Sequence, residues 1–319
     1  MGSYLNPGNF SFCGSLRSKI YVDKSELIAK TNEVLCTEQR YICVSRPRRF
    51  GKSMAANMLA AYYDRSENTE ELFQNLAIRE DKSYKENLNQ YDVIKINMQE
   101  FLSRTKNIYE LLDRMKRLVL RDLKREYPNV DYFDDTDLIE SMQDVYQETN
   151  CPFVVIIDEW DCIFREYKQD KEAQEIYLDF LRDMLKDKSC IALAYMTGIL
   201  PIAKYSSGSE LNMFWEYTMA SEAKYNEYFG FTDSEVDHLY EKYTRNTREI
   251  HISREDLKEW YDGYATKSGE RMYNPRSVVL ALTNNNIGNY WTSSGPYDEI
   301  FYYIRQNLSL IHISEPTRP

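Results

Sequence analysis

Four short, almost continuous apolar runs restrict the possible folds of this chain more than any other feature. They are Tyr41–Ser45 (YICVS), Val93–Met98 (VIKINM), Phe153–Asp158 (FVVIID) and Ile191–Thr197 (IALAYMT). Polar segments bound each run, and the hydrophobicity is near-continuous rather than alternating. Such runs are typical of strands buried on both faces of a parallel sheet. The sequence therefore predicts a parallel sheet that contains these four strands.

Segments with helical periodicity lie between these runs. Ser53–Tyr63 is rich in Ala, Met and Leu, whereas Asn107–Tyr127 and Ala173–Lys186 place apolar residues at helical spacing with charged residues between them. Strands that alternate with helices favour a sheet whose parallel strands are joined by right-handed helical crossovers. We therefore predict an α/β fold built on a doubly wound parallel sheet.

The sequence changes character after about Lys204. Thr232–Glu235 (TDSE) has the form of a capping box before an amphipathic helix. Asn274-Pro275 places an N-cap residue before a proline at the first helical position. These patterns predict a smaller, mainly helical domain, for which we consider a winged-helix-like form near residues 253–295.

The expected organisation is a lead-in over residues 1–19, the α/β domain over 20–227, the helical domain over 228–307 and a tail over 308–319. The tail, LSLIHISEPTRP, resembles an in-frame translation of a transposase-type sequencing adapter. We therefore expect it to be non-native, with the native chain cut near Asn307 and His312 excluded from any site. The alternative is an ordinary polar tail.

The composition argues against several classes of protein. The chain has 319 residues, of which 43% are hydrophobic, so a sizeable core is expected. A formal net charge of -11 disfavours attraction of the whole chain to nucleic acid or to anionic membranes. No segment has the ~18 apolar residues that a membrane-spanning helix needs, and the N-terminus lacks the pattern of a signal peptide.

The six cysteines are scattered without a C-x-x-C pair, and three histidines do not suit a rich metal site. Cys43, Cys151 and Cys190 lie in or beside apolar runs, where buried free thiols are common. We expect a reducing, cytoplasmic environment.

The first apolar run leads into a loop with part of the phosphate-binding pattern. SRPRRFGKS (Ser45–Ser53) ends like G-x-x-x-x-G-K-[ST], but Arg46 replaces the first glycine. Gly51 would let the backbone approach a phosphate, Lys52 would reach the β- and γ-phosphates, and the Ser53 hydroxyl would bind Mg²⁺. A helix N-terminus adds unpaired N–H groups and a partial positive charge. Taken alone, the loop is also compatible with a basic turn before a helix.

Arg48, Arg49 and Phe50 form the middle of this loop, and we expect all three to belong to the nucleotide-binding site. The role of the two arginines has two interpretations. They either bind phosphate, in place of the backbone geometry that the missing glycine would supply, or pair with acids across the site. The sequence leaves both interpretations open. Lys204 is a weaker candidate of the same kind, and no arginine finger can be assigned.

The third apolar run ends in two acids, Asp158 and Glu159. Asp158 fits the acid that organises Mg²⁺, and Glu159 fits the base that orients and deprotonates the attacking water. The alternative is a strand followed by acidic residues that face solvent. Two partial motifs in the right order, separated by a strand–helix unit, favour a nucleotide site over both simpler interpretations.

The fourth apolar run ends at Thr197-Gly198. Ligands of a doubly wound sheet bind beyond the carboxyl ends of its strands. Thr197 is therefore a candidate to sense the γ-phosphate or to hold the lytic water. It is equally compatible with a turn residue that ends the strand.

The chain resembles the bacterial AAA-ATPase-like family, whose members usually carry a C-terminal nuclease-like domain of the PD-(D/E)XK type. The matching segments, in chain order, are YVDKSELI (Tyr21–Ile28), SRPRRFGKS (Ser45–Ser53), IIDEWD (Ile156–Asp161), MTGI (Met196–Ile199), FGFTDSEV (Phe229–Val236), EWYDGY (Glu259–Tyr264), YNPRSV (Tyr273–Val278) and YW (Tyr290–Trp291). In that family the arginine-rich loop is the normal form, which removes the objection raised by Arg46. One departure is Arg276, where the family often has Trp, and we expect it to alter a surface contact.

The resemblance implies a P-loop NTPase fold with ATP and Mg²⁺ as cofactors. Lys52 and Ser53 carry over as phosphate and Mg²⁺ contacts. Asp158 and Glu159 carry over as the Mg²⁺ acid and the catalytic base.

The resemblance also places Tyr21 and Asp23 in a segment that lies near the adenine in related ATPases. The expected function is ATP binding with Mg²⁺-dependent hydrolysis, acting as a switch for a nuclease-like domain beyond Asn307. One alternative is a regulatory nucleotide-binding module with little turnover. Another is a nucleic-acid-processing role through that further domain. We expect no membrane partner, and the sequence does not predict an oligomeric state.

Overall fold

The computed structural model describes residues 2–202, 211–219, 224–267 and 269–290. The chain divides by its contacts into two compact units. The first unit comprises Met1–Ser45 and Gly51–Tyr217, and the second comprises Arg46–Phe50 and Thr218–Pro319. The domain limits expected from the sequence stay predictions. Lys204 and the tail over 308–319 lie outside the described residues.

A five-stranded sheet forms the centre of the first unit. Its order is β2-β3-β4-β1-β5, with β1 (Tyr41–Ser45), β2 (Asp92–Asn97), β3 (Phe153–Asp158), β4 (Ile191–Gly198) and β5 (Trp215–Thr218). The β2–β3, β3–β4 and β4–β1 pairs are parallel. These four strands confirm the prediction from the apolar runs, and every residue of β1, β3 and β4 is buried. The sequence does not predict β5, because only Tyr217 of its residues is buried.

The helices of the first unit connect these strands. They are α1 (Phe10–Leu16), α2 (Glu26–Asn32), α3 (Lys52–Tyr63), α4 (Glu70–Phe73), α5 (Tyr84–Asn87), α6 (Met98–Leu102), α7 (Ile108–Glu126), α8 (Leu138–Thr149), α9 (Cys162–Glu166) and α10 (Lys171–Leu185). The predicted helices are confirmed as α3, α7 and α10, whereas the very short helices are too brief for a periodic pattern. Among the helices of the described ranges, none is both long and apolar enough to cross a membrane.

The N-terminal segment runs along β2, at the edge of the sheet. The Asn6 amide donates to the Val93 carbonyl at 2.7 Å, and the Lys95 amide donates to the Tyr4 carbonyl at 2.8 Å. These bonds satisfy backbone groups that an open sheet edge would leave exposed. The lead-in expected from the sequence is therefore tied to the first unit.

The second unit is mainly helical in its described part. It contains α11 (Asp233–Asn246), α12 (Arg254–Tyr261), α13 (Pro275–Asn284) and a two-stranded antiparallel sheet of β6 (Tyr264–Ala265) and β7 (Arg271–Met272). The predicted capping box is confirmed, since Thr232 and Glu235 cap each other's backbone N–H at the start of α11. The predicted cap of α13 is also confirmed, with Asn274 accepting from the Ser277 amide.

Candidate functional site

The ends of the parallel strands meet at one edge of the sheet. The register pairs Asn97 with Asp158 and Asp158 with Thr197, while Ser45 lies opposite Gly198. The last residues of β1, β3 and β4 therefore lie side by side. This brings three separate segments singled out in the sequence to the same place.

The start of α3 provides a buried cation at this edge. Gly51 precedes the helix with φ +89°, a left-handed conformation that favours glycine. Lys52 follows at the first position of the helix and is only 5% exposed. Burial lowers the pKa of the Lys52 ammonium, and the nearby carboxylates of Glu159 and Asp158 oppose that shift. Such a buried ammonium is suited to a strongly anionic ligand.

The Asp158 carboxylate is the group on which the hydrogen bonds of this site converge. The Ser53 hydroxyl, from α3, donates to Asp158 Oδ2 at 2.5 Å. The Thr197 hydroxyl, from β4, donates to the other carboxylate oxygen, Oδ1. That oxygen also accepts from the Glu159 backbone N–H at 3.1 Å. Two elements distant in sequence, α3 and β4, therefore converge on one carboxylate that is 3% exposed.

Glu159 begins a tight turn after β3. Its φ is +56°, the left-handed region that costs a non-glycine residue ~1 kcal/mol or more. The Trp160 amide donates to the Thr197 carbonyl at 3.1 Å, which pins this turn to β4. The Glu159 carboxylate accepts from the Arg165 guanidinium through Oε2. Backbone strain of this kind tends to occur at functional positions.

Asp161 and Arg165 are site neighbours that the sequence analysis did not single out. Asp161 is fully buried and accepts from the backbone amides of Ile199 and Leu200 at 3.1 and 2.8 Å. Burial raises the pKa of the Asp161 carboxyl to about 6, although the Arg165 guanidinium acts to lower it. The sequence did contain a signal for this pair. Asp161, the last acid of DEWD, and Arg165 are four residues apart, a spacing at which side chains on a helix can form an ion pair.

Lys95 was also missed. Its ammonium donates to the Asn57 side chain on α3, and burial lowers the pKa of that ammonium while Asp158 opposes the shift. A lysine within the otherwise apolar run VIKINM is the signal that would have found it, since a buried lysine needs a polar partner.

The arginine-rich part of the loop packs within the second unit. The Arg46 side chain is fully buried there, donates to Asn226 Oδ1 at 2.9 Å and lies over the Phe229 ring at 5.3 Å. These contacts make Arg46 a structural residue, which explains how the loop tolerates an arginine in place of glycine.

The next residues of that segment differ in their surroundings. Phe50 is buried, and its ring meets the Tyr264 ring edge-on at 4.7 Å. The Arg48 carbonyl accepts from the Asn274 amide group at 3.5 Å. Arg49 is exposed and has φ +69°. The Phe50 ring is therefore not available to a ligand.

Tyr21 and Asp23 lie in the segment before α2. Asp23 accepts from the Ser25 amide at 2.8 Å and from the Ala77 amide at 2.7 Å. Burial raises the pKa of the Tyr21 phenol. The contacts of Asp23 are those of a residue that orders a turn, and the expected position near an adenine stays a prediction.

The buried thiols expected from the sequence are confirmed. Cys43, Cys151 and Cys190 are buried, and all six cysteines are free. Burial raises the pKa of each of these three thiols, which disfavours the reactive thiolate form.

These elements define a P-loop NTPase type of α/β fold. A parallel strand leads through a glycine-containing loop into a helix that starts with Lys-Ser, and a neighbouring strand ends in aspartate. Residues 15–207 match the model of a family described as "Predicted AAA-ATPase". Because this match covers more than half of the sequence, the chain belongs to the AAA-ATPase-like family.

A curated relative comes from Azotobacter chroococcum mcd 1 and is described as "Uncharacterized protein in vnfD 5'region". It is 26% identical over 286 residues, which make up 86% of this chain and 50% of the relative. The chain therefore spans about half the length of that relative.

Three solved structures have limited similarity to this chain. Cdc6p from Pyrobaculum aerophilum has a TM-score of 0.43 and 12% identity, over 87% of this chain and 67% of that one. The Aeropyrum pernix ORC1 protein in complex with DNA has a TM-score of 0.43 and 9% identity, over 97% and 72%. The Aeropyrum pernix ORC2 protein in ADPNP-ADP complexes has a TM-score of 0.39 and 13% identity, over 89% and 65%. At this level of similarity, the ligands of those proteins are not transferred to this chain.

Proposed function

We propose that this chain binds ATP at the start of α3 and hydrolyses it in a Mg²⁺-dependent reaction. The observation that carries the proposal is the convergence of the Ser53 and Thr197 hydroxyls on the Asp158 carboxylate. Membership of the AAA-ATPase-like family supports it.

The oxygen donors present suit Mg²⁺. Ser53 and Asp158 would hold the ion, because Mg²⁺ prefers hard oxygen ligands and usually takes the rest from phosphates and water. Among the described residues, no group of three or more His, Cys, Asp or Glu side chains is placed to hold a metal. When bound, Mg²⁺ would neutralise charge that develops on the phosphates.

The phosphate contacts come from the loop and the helix that follows. Lys52 would contact the β- and γ-phosphates, whose negative charge compensates the cost of burying its ammonium. The backbone N–H groups of Phe50 and Gly51 would face the phosphates as in other phosphate-binding loops. Arg48 and Arg49, which precede Phe50 in the chain, would add positive charge near the phosphates.

Hydrolysis needs a base and a group that holds water. Glu159 would orient and deprotonate the attacking water, and Thr197 would contact the γ-phosphate or that water. Glu159 follows directly on Asp158, the proposed Mg²⁺ acid, so its carboxylate would lie near the reacting phosphate in this arrangement.

The test is Mg-ATP hydrolysis by the wild type and by Glu159→Gln, with ATP affinity measured separately. We expect Glu159→Gln to bind ATP and to lose about 10²- to 10⁴-fold in kcat, the range typical of a general base. Glu166→Gln, an exposed acid in α9, is the matched control and should hydrolyse ATP at the wild-type rate. Equal rates for Glu159→Gln and wild type would refute the role of Glu159.

One observation favours a second candidate, a regulatory nucleotide-binding module with little turnover. Glu159 is already paired with Arg165, so one of its two carboxylate oxygens is occupied and is not available to an attacking water. Tight ATP binding that survives Glu159→Ala, without phosphate release at any protein concentration, would support this alternative.

We further propose that nucleotide turnover acts as a switch for a nuclease-like domain in the complete bacterial, cytoplasmic protein. This proposal rests on the family resemblance, and nucleic acid would be bound through that domain alone. A DNA-binding assay on the full gene product, titrated with salt, tests it; a lack of salt-sensitive binding would count against it.

A further inference from the structure

Arg165 lies in α9, close behind the turn that contains Glu159. Its side chain is only 7% exposed, and it donates to Glu159 Oε2. Its Nε lies 3.4 Å from Asp161 Oδ2, which makes a second ion pair. One buried guanidinium therefore contacts two carboxylates of the same turn.

The pair leaves half of the Glu159 carboxylate available. Oε2 is held by Arg165, whereas Oε1 accepts no hydrogen bond from any described residue. The Glu159 side chain is 22% exposed, and Oε1 is not one of the buried oxygens that lack a partner, so water can reach this second oxygen. A guanidinium that fixes one carboxylate oxygen also restricts the direction in which the other points.

Arg165 is itself anchored to the end of β4. Asp161, its second partner, accepts from the amides of Ile199 and Leu200, which follow Thr197 and Gly198 in the chain. The orientation of Glu159 thus depends on a buried network that reaches the strand end carrying Thr197. This network connects Glu159 to the end of the strand that carries Thr197.

We propose that Arg165 is a positioning residue for ATP hydrolysis: it holds Glu159 Oε2 so that Oε1 faces the attacking water. The proposal rests on the proposed function of the site. Arg165 itself touches neither nucleotide nor water in this scheme, so its loss lowers kcat and leaves ATP affinity almost unchanged.

The test compares Arg165→Met, Arg165→Lys and Glu159→Gln with the wild type, in ATP affinity and in kcat. For Arg165→Met we expect a loss of about 10- to 100-fold in kcat, because a small displacement of a catalytic group has effects of this size. Arg165→Lys keeps the charge but lacks the planar fork, and should restore part of kcat. The double variant Glu159→Gln/Arg165→Met should be no slower than Glu159→Gln, since residues that act as a unit are not additive.

Arg182→Met is the matched control for removal of a paired arginine. Arg182 also contacts two acids, Asp179 and Asp183, but on the exposed face of α10. The Arg182→Met variant should hydrolyse ATP at the wild-type rate. If Arg165→Met fails to fold, Arg165→Lys carries the test, with thermal unfolding used to establish that it is folded.

The outcomes separate this proposal from the function on which it rests. A wild-type kcat in Arg165→Lys and Arg165→Met would overturn the positioning role, as would a higher kcat, which would mean that Arg165 restrains Glu159. A multiplicative loss in the double variant would also overturn it. A wild-type protein that does not hydrolyse ATP would instead refute the proposed function, and the positioning role with it.

Discussion

The buried Asp161 carboxyl should make the stability of the first unit depend on pH. Its carboxylate accepts two backbone N–H groups and contacts Arg165, yet its other oxygen, Oδ1, is buried without a hydrogen-bond partner among the described residues. Asp161→Asn is the isosteric perturbation. An asparagine oxygen still accepts both N–H groups, but the side chain no longer titrates.

The size of the effect follows from the two pKa values. The folded pKa is about 6 and the ordinary value is 3.8, so the folded chain binds this proton more tightly than the unfolded chain. The resulting stabilisation is fully present below pH 3.8 and is lost as the pH rises through about 6. Between about pH 5 and about pH 7.5, the loss is about 1 kcal/mol, because one pKa unit corresponds to ~1.4 kcal/mol.

The assay is urea unfolding at these two pH values, followed by tryptophan fluorescence, since the fully buried Trp160 reports on the first unit. The free energy of unfolding of the wild type, minus that of Asp161→Asn, should be about 1 kcal/mol larger at the lower pH, because protonated Asp161 stabilises the folded chain there. A difference that is the same at both pH values, or that changes in the opposite direction, would refute the assignment of a raised pKa to Asp161.

Two further predictions concern local structure. Gly198→Ala should destabilise the first unit by roughly 1–3 kcal/mol, as overpacking does, because a Cβ there would lie 2.6 Å from the Trp160 indole nitrogen. Urea unfolding checks this against Gly14→Ala, where a Cβ meets no atom within 4 Å, and equal stability of both variants would contradict it. Thr232→Ala should lower the stability of the second unit by about 1 kcal/mol, because it removes the hydroxyl that caps α11. Thr232→Ser keeps the hydroxyl and should unfold like the wild type; an equal loss in both would show that the cap is not the cause.

The sequence by itself determined the elements that local patterns govern. Continuous apolar runs predict the four parallel strands, because strands buried on both faces need apolar side chains on each of them. Helical periodicity predicts α3, α7 and α10, and the caps of α11 and α13 follow from side chains that bond to nearby backbone groups. The order of Lys52, Ser53 and Asp158 could likewise be predicted from the sequence, because Lys52 and Ser53 begin a helix and Asp158 ends a strand.

Only the tertiary structure decided which of these residues touch. Ser53 and Asp158 are 105 positions apart, and Thr197 is 39 positions from Asp158, so their contacts depend on strand register. The burial of Arg46 depends on how side chains from separate segments pack. No local pattern encodes such contacts, because the spacing of residues along the chain sets the type of an element and not its neighbours in space.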